Sequence, residues 1–208
     1  KQAMFVGGEV IVHGVVNKAL ERFTIDTYGF GLWQKVVSAC PHAVAFYEAM
    51  LCYPDQDSYA LLNQLSRILN KPNADILEDM GTYLVVHRNQ DGVRRLLRFG
   101  GVDFRDFLFS LNEFNARIDL IMPDLNLPQI NVMCGAKNQI SIRLAPSWSE
   151  FTFLCIGILH AMADDYGALI RLAHFADTGS AVIQITLVDD RFAVAQGFKL
   201  AARGPSNG

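Results

Sequence analysis

The sequence predicts an α+β domain: a helical N-terminal lobe followed by a lobe in which helices accompany a four-stranded antiparallel sheet. Three observations carry that prediction. Apolar residues recur at helical spacing as far as Ile121. Beyond Pro123 and Pro128 the apolar period drops to two, in runs separated by turn residues. Helices first and strands later indicate segregated α and β elements rather than alternating βαβ units. The chain has 208 residues, 51% of them hydrophobic and 19% charged, with mean hydropathy +0.19. At that length it buries roughly 70% of its unfolded surface and needs no disulfide or metal staple. The apolar content and 11% aromatics exclude disorder, and a net charge of -3 argues against nucleic acid as a partner.

The elements follow in order. Val15, Val16, Ala19, Leu20 and Phe23 set a first helix over Val15–Thr27, with Gly29 to close it. A short helix over Leu32–Ala39 ends before Pro41, and a third is expected over Ala43–Leu51, ended near Pro54. Tyr59, Leu62, Leu65 and Leu69 share one side of a fourth, broken by Asn70-Lys71-Pro72. Asn73 or Asp75 caps a fifth that runs to Val86. A short helix near Val93–Phe99 precedes Gly100-Gly101, and Asp103 caps a long helix to Ile121. Asn115 interrupts the apolar stripe of that long helix. Gln129–Met133 and Gln139–Ala145 read as a hairpin turning at Gly135–Asn138. Ala181–Val188 and Phe192–Leu200 read as a second, turning at Asp189-Asp190. Between the hairpins lies Phe151–Ala163, 13 residues without a charge. A membrane span takes about 20, so this is a buried helix and no span is expected. The apolar surplus must then line a large core, a ligand cavity or a partner surface.

No secretory leader is apparent in Lys1–Glu9, and Cys40, Cys52, Cys134 and Cys155 form no CxxC pair. Packed free thiols are favoured over a disulfide, and a cytoplasmic location suits them. The five histidines make no HExxH motif, and there is no GxSxG, Walker or GxGxxG sequence. His160 with Asp164, one turn apart, reads first as a helix-surface pair and second as a metal site. Arg94, Arg95 and Arg98 read first as a solvated face and second as an anion or partner site. No catalytic constellation is present, so the expected function is non-enzymatic. Residues 1–11 are expected to be an N-terminal extension, 12–200 the domain, with lobes of about 12–75 and 76–200, and 201–208 a flexible tail.

A run of residues then resembles a known family. His13-Gly14-Val15-Val16-Asn17-Lys18-Ala19-Leu20, Thr27-Tyr28-Gly29 and Trp33 look like the start of an H-NOX (heme nitric oxide/oxygen-binding) domain. The likeness continues through Gly81-Thr82-Tyr83, Phe104, Phe107-Leu108, Leu111, Pro123, Pro128, Gly157 and Tyr166-Gly167. It covers about residues 12–200. The resemblance implies a sensor that buries heme b between a helical and a sheet-bearing lobe, with one axial histidine on the long helix before the prolines. It implies partners such as a histidine kinase or a cyclic-dinucleotide signalling enzyme, as for stand-alone bacterial members.

At the points that hold heme the sequence departs from the family. Asn115 stands at the axial histidine position, with Pro128 at the heme-bending proline. Leu144, Pro146 and Trp148 stand where the family has its Tyr-x-Ser-x-Arg propionate clamp. Losing ligand and clamp together removes both the iron bond and the charge-assisted bonds that offset burial of two carboxylates. The expectation is a domain in which heme is absent or weakly bound and which acts through protein contacts or another apolar small molecule. Asn115 is expected to satisfy its amide against backbone or water. Val16, Leu20, Phe114 and Leu144 would line any remaining pocket. The alternative is a heme-based gas sensor with unorthodox ligation, by His87 or His160.

Overall fold

The first helix, α1 (Gly14–Tyr28), starts where the His13 imidazole accepts from the Val15 amide at 3.3 Å. It stops at Gly29, whose φ of 89° suits a residue without Cβ. The computed structural model describes residues 5–6, 9–123, 125, 127–135, 138–145, 149–177 and 179–189. Ahead of α1, β1 (Phe5–Val6) and β2 (Glu9–His13) pair antiparallel, and β2 spans the boundary placed after residue 11. After α1 comes α2 (Phe30–Ser38).

The helix expected over Ala43–Leu51 is not formed; that segment is irregular and leads into β3 (Cys52–Pro54), which pairs with β2. The reason is where its backbone groups go. The Trp33 indole donates to the Ala45 carbonyl at 2.9 Å, the Tyr47 amide to Glu21 Oε2 at 2.7 Å, and the Gly14 amide to the Leu51 carbonyl at 2.6 Å. Tertiary partners have replaced helical ones. A side chain on Gly14 would collide with the Glu48 and Leu51 carbonyls, so the approach depends on glycine.

Next, α3 (Asp55–Leu69) begins a turn before the expected Tyr59, with Asp55 and Asp57 favourably placed in its first turn. Asn70, with φ of 51°, ends it. Then follow α4 (Asn73–Val86) and, after a short 3-10 turn, α5 (Asp91–Arg98). The long helix is interrupted: α6 (Phe104–Ser110) and α7 (Phe114–Ile121) are joined by a 3-10 turn at Leu111–Glu113. At that point the Ser110 carbonyl accepts from Arg117 Nη2 at 2.9 Å, and Ser110 Oγ donates back to the Phe107 carbonyl at 2.7 Å.

β4 (Gln129–Cys134) and β5 (Gln139–Ala145) form the first hairpin as expected, with Ile130 opposite Leu144. Then come α8 (Ser149–Tyr166), longer than its apolar centre, β6 (Leu169–Asp177) and β7 (Ser180–Asp189). The sheet order is β4-β5-β7-β6, antiparallel throughout. The second hairpin is therefore β6–β7, turning at Gly179 with φ of 70°. The expected pairing of Ala181–Val188 with Phe192–Leu200 is excluded on the β7 side, because β5 and β6 already flank β7. Phe192–Leu200 itself, like the 201–208 tail, lies outside the described residues. As an edge strand with Leu169 and Phe175 exposed, β6 lacks the clean alternation that marks a half-buried strand.

The architecture is the α+β arrangement predicted. One core gathers Leu20, Phe23, Trp33, Leu61, Leu65 and Ile76 from α1–α4; the other gathers Phe107, Leu108, Ile140, Leu144, Met162 and Ile183. The joint is the packing of α4 on α8. A Cβ on Gly81 would strike the Leu154 carbonyl, and one on Gly157 the Glu78 carbonyl. Two glycines thus let two helix backbones touch, and Thr82 Oγ1 reaches the Gly157 carbonyl at 3.4 Å.

Candidate functional site

The site is the segment 103–121 and the strand beside it. Asp103 caps α6 by accepting from the Asp106 amide at 2.8 Å. Phe104, Phe107, Leu108 and Leu111 turn into the sheet-lobe core, and Ile118 is buried as well. That leaves Asn112 and Asn115, three apart and therefore neighbours on the helical surface, facing β4. Asn115 Nδ2 donates to the Pro128 carbonyl at 2.9 Å, and Asn115 Oδ1 accepts from the Ile130 amide at 3.4 Å. Asn112 Oδ1 accepts from the Val132 amide at 2.7 Å, and its Nδ2 lies 3.5 Å from the Val132 carbonyl.

These contacts give Asn115 the backbone partners expected of it and place it on Pro128. They also reveal what the sequence reading missed, the role of Asn112. Among the described residues β4 has β5 on one side and no strand on the other. The two amides meet alternate residues of that open edge, as a neighbouring strand would. The legible signal was the i, i+3 spacing of two asparagines.

Leu144 is fully buried in β5, in register with Ile130 on one side and Ala181 on the other. Pro146 and Trp148 lie outside the described residues. Phe114 is half-buried against the same core as Leu144. Leu20 belongs to the helical-lobe core, and Val16 is 40% exposed on α1. The four proposed lining residues are thus divided between the lobes, with Val16 at the surface.

The remaining ionisable groups are engaged structurally. His160 Nδ1 lies 3.2 Å from Glu78 Oε1, across the α4–α8 joint rather than turned along its own helix toward Asp164. His87 stacks on Tyr83 with ring centroids 4.8 Å apart, and its Nδ1 is 3.6 Å from Asp26 Oδ2. Tyr83 donates to Asp26 Oδ2 at 2.7 Å and Asn89 Nδ2 does so at 3.1 Å. Burial alone would push the Asp26 carboxyl up, but Tyr83, Asn89, His87 and Arg22 outweigh it and hold it below the usual range. Burial, reinforced by Asp26, pushes the Tyr83 phenol up to about 12. Arg94 and Arg98 both pair with Asp165, Arg98 Nε at 2.7 Å, and the Arg98 guanidinium stacks 4.7 Å over Tyr166. The arginine cluster is therefore a lock on the end of α8, with only Arg95 turned to solvent. The cysteines are free thiols, as expected, but only Cys40 and Cys155 are packed, Cys52 and Cys134 being exposed; burial pushes the Cys155 thiol up to about 12. Among the described residues no three His, Cys, Asp or Glu side chains gather as a metal site, and no helix is long and apolar enough to cross a membrane.

A family described as Haem-NO-binding matches residues 13–174. A soluble guanylate cyclase of Caenorhabditis elegans, gcy-32, is 23% identical over 122 residues, 58% of this chain but only 18% of that one. The chain therefore spans less than a fifth of that relative. An H-NOX protein from S. oneidensis, a triple mutant in the Fe(II) ligation state, superposes with a TM-score of 0.74 at 19% identity, covering 88% of this chain and 100% of that one. An unliganded Fe(II) H-NOX protein from K. algicida superposes with a TM-score of 0.74 at 16% identity, covering 87% and 99%.

Proposed function

The chain belongs to the Haem-NO-binding, or H-NOX, family, and from that premise we propose that it is a non-enzymatic regulatory domain that has lost ordinary heme ligation and acts through protein contacts. The observation that carries the reading is the engagement of Asn115. At the position where the family's iron ligand is expected, an amide has both its nitrogen and its oxygen bonded to the backbone of residues 128 and 130. The residues present do not fit a heme held in the family manner. An amide is a poor iron ligand, no histidine or cysteine occurs in 103–121, and Leu144 brings buried hydrocarbon where a phenol would grip a propionate. Surface pairing of His87 and His160 with carboxylates counts against their serving as substitute ligands. The output would pass to a histidine kinase or a cyclic-dinucleotide signalling enzyme in the cytoplasm, with any residual pocket open to another apolar molecule.

The test is the absorption spectrum of the chain expressed with heme precursor. The expected result is no stoichiometric Soret band. A full band that shifts with nitric oxide would return the chain to the working gas sensors. The combined substitutions Asn115→His, Leu144→Tyr, Pro146→Ser and Trp148→Arg are expected to bring heme uptake back. A folded variant that still takes up none would refute the alignment on which the reading rests.

A further inference from the structure

The face of 103–121 opposite the β4 edge is not covered. Asp106, Ser110, Glu113 and Arg117 succeed one another along it at intervals of three or four, with Phe109 beside Ser110 and Leu120 three residues beyond Arg117. The segment 99–102 runs alongside, brought close because Gly100 has no side chain to strike Ser110. Between them lies an open cleft of about 550 Å³, lined by Phe99, Val102, Phe109, Asp106 and Glu113 among others. Phe99 is 84% exposed and Val102 74%, so two of the most exposed large apolar side chains among the described residues line this cleft. Contiguous apolar exposure of this kind marks an interaction surface.

Charge decides what it takes. Asp106 and Glu113 stand about two helical turns apart along the cleft, and among the described residues neither carboxylate has a hydrogen-bond or ion-pair partner. The nearby cations are already committed: Arg117 to the Ser110 carbonyl and Arg98 to Asp165. Exposed Phe99 and Val102 with a free acid toward each end of the cleft suit a segment of opposite pattern. We propose that this cleft docks an amphipathic helix of a partner protein, one that presents a large apolar side chain flanked by Lys or Arg about two turns apart. The proposal rests on the reading that this domain signals through protein contacts, and it places that contact on the outer face of the helix whose inner face carries Asn115.

The test uses the full chain and a labelled helical peptide with Phe and Leu on one face and Lys at two positions seven apart, read by fluorescence anisotropy. A control peptide carries Glu at both Lys positions. The Lys peptide is expected to bind at least about tenfold more tightly than the Glu peptide. Asp106→Lys with Glu113→Lys should reverse that order, and Phe99→Ser should weaken both by about fivefold or more. All three positions are exposed, and circular dichroism checks that the variants remain folded. Equal binding of the two peptides, no binding at about 1 mM, or variants that bind like the parent overturn the proposal. Sedimentation showing a dimer that Phe99→Ser dissolves would assign the face to a second copy and overturn it too. The heme spectrum is an independent readout. A heme-loaded chain that binds the Lys peptide refutes the loss of heme alone, and a heme-free chain that ignores the peptide refutes the docking alone.

Discussion

The helical lobe and the sheet lobe treat buried polar groups in opposite ways. Along α1 and its cap, His13, Asn17, Glu21 and Thr24 are all buried. Glu21 is 1% exposed, taking a bond from Lys18 on one oxygen and from the Tyr47 amide on the other. Asn17 accepts from Ser58 at 2.6 Å, and Thr24 donates to the Leu20 carbonyl at 2.7 Å. In the sheet lobe Thr152 and Ser180 are the only buried polar residues among those described. Its backbone is satisfied by the β4-β5-β7-β6 ladder, and the open β4 edge by Asn112 and Asn115. One lobe builds buried polar side chains into its first helix, while the other keeps hydrocarbon inside and satisfies its backbone by strand pairing, with Asn112 and Asn115 at the open edge. The core of the sheet lobe is hydrocarbon, and Asn115 sits at its margin with backbone partners on the open strand edge.

The same difference explains what was legible in the sequence. Strands β4 and β5 alternate cleanly, since Ile130, Val132, Ile140, Ile142 and Leu144 face one core, and pattern alone places them. The segment 43–51 has helical spacing too, but its conformation is decided by Glu21 and Trp33, residues far away in the chain. No local pattern encodes that. Strand β6 was hidden for another reason: at an edge, with both ends of its exposed face apolar, it has no period to detect. The polar interruption at Asn115 was readable in the apolar stripe of its helix, whereas its backbone partners needed the register of β4 against α7.

The largest effect should come from the joint between the lobes. Gly157→Leu forces a side chain into the Glu78 carbonyl of α4, with backbone on both sides and nothing flexible to yield. The expected loss is about 4 kcal/mol or more, read by chemical denaturation. If the lobes are separate cooperative units, the variant should unfold in two transitions. A single, lowered transition would show instead that the two cores stand or fall together.

A matched pair sharpens the contrast between the lobes. Glu21→Ala leaves the Tyr47 amide buried without an acceptor and is expected to cost about 3 kcal/mol. Asn115→Ala removes two hydrogen bonds between neutral groups, one of them long at 3.4 Å, rather than a buried carboxylate, and about 1 kcal/mol is expected. Equal costs would remove the distinction between long-range and marginal polar contacts.

The smallest effect is a pH signature. Holding Asp26 below its ordinary value of 3.8 means that its contribution is present above that pH and is lost as pH falls through the folded value. Tyr83, raised from about 10 to about 12, has the opposite sign: its contribution is present below 10 and is lost as pH rises through 12. The Asp26–Tyr83 bond, in the core that α4 shares with α1–α3, therefore weakens at both extremes. In the sheet lobe Tyr166 gives its hydroxyl to the Gly101 carbonyl, which does not titrate, so that contact weakens only on the alkaline side. Burial raises the Tyr166 phenol as well, so the two tyrosines share the alkaline limb. Asp26→Asn should flatten the acid limb of a stability–pH profile, while Tyr166→Phe should leave that limb unchanged and reduce the alkaline one. An acid limb untouched by Asp26→Asn would mean that the carboxylate is not held by Tyr83 in solution, and the α1–α4 core would lose one of the polar ties that distinguish it.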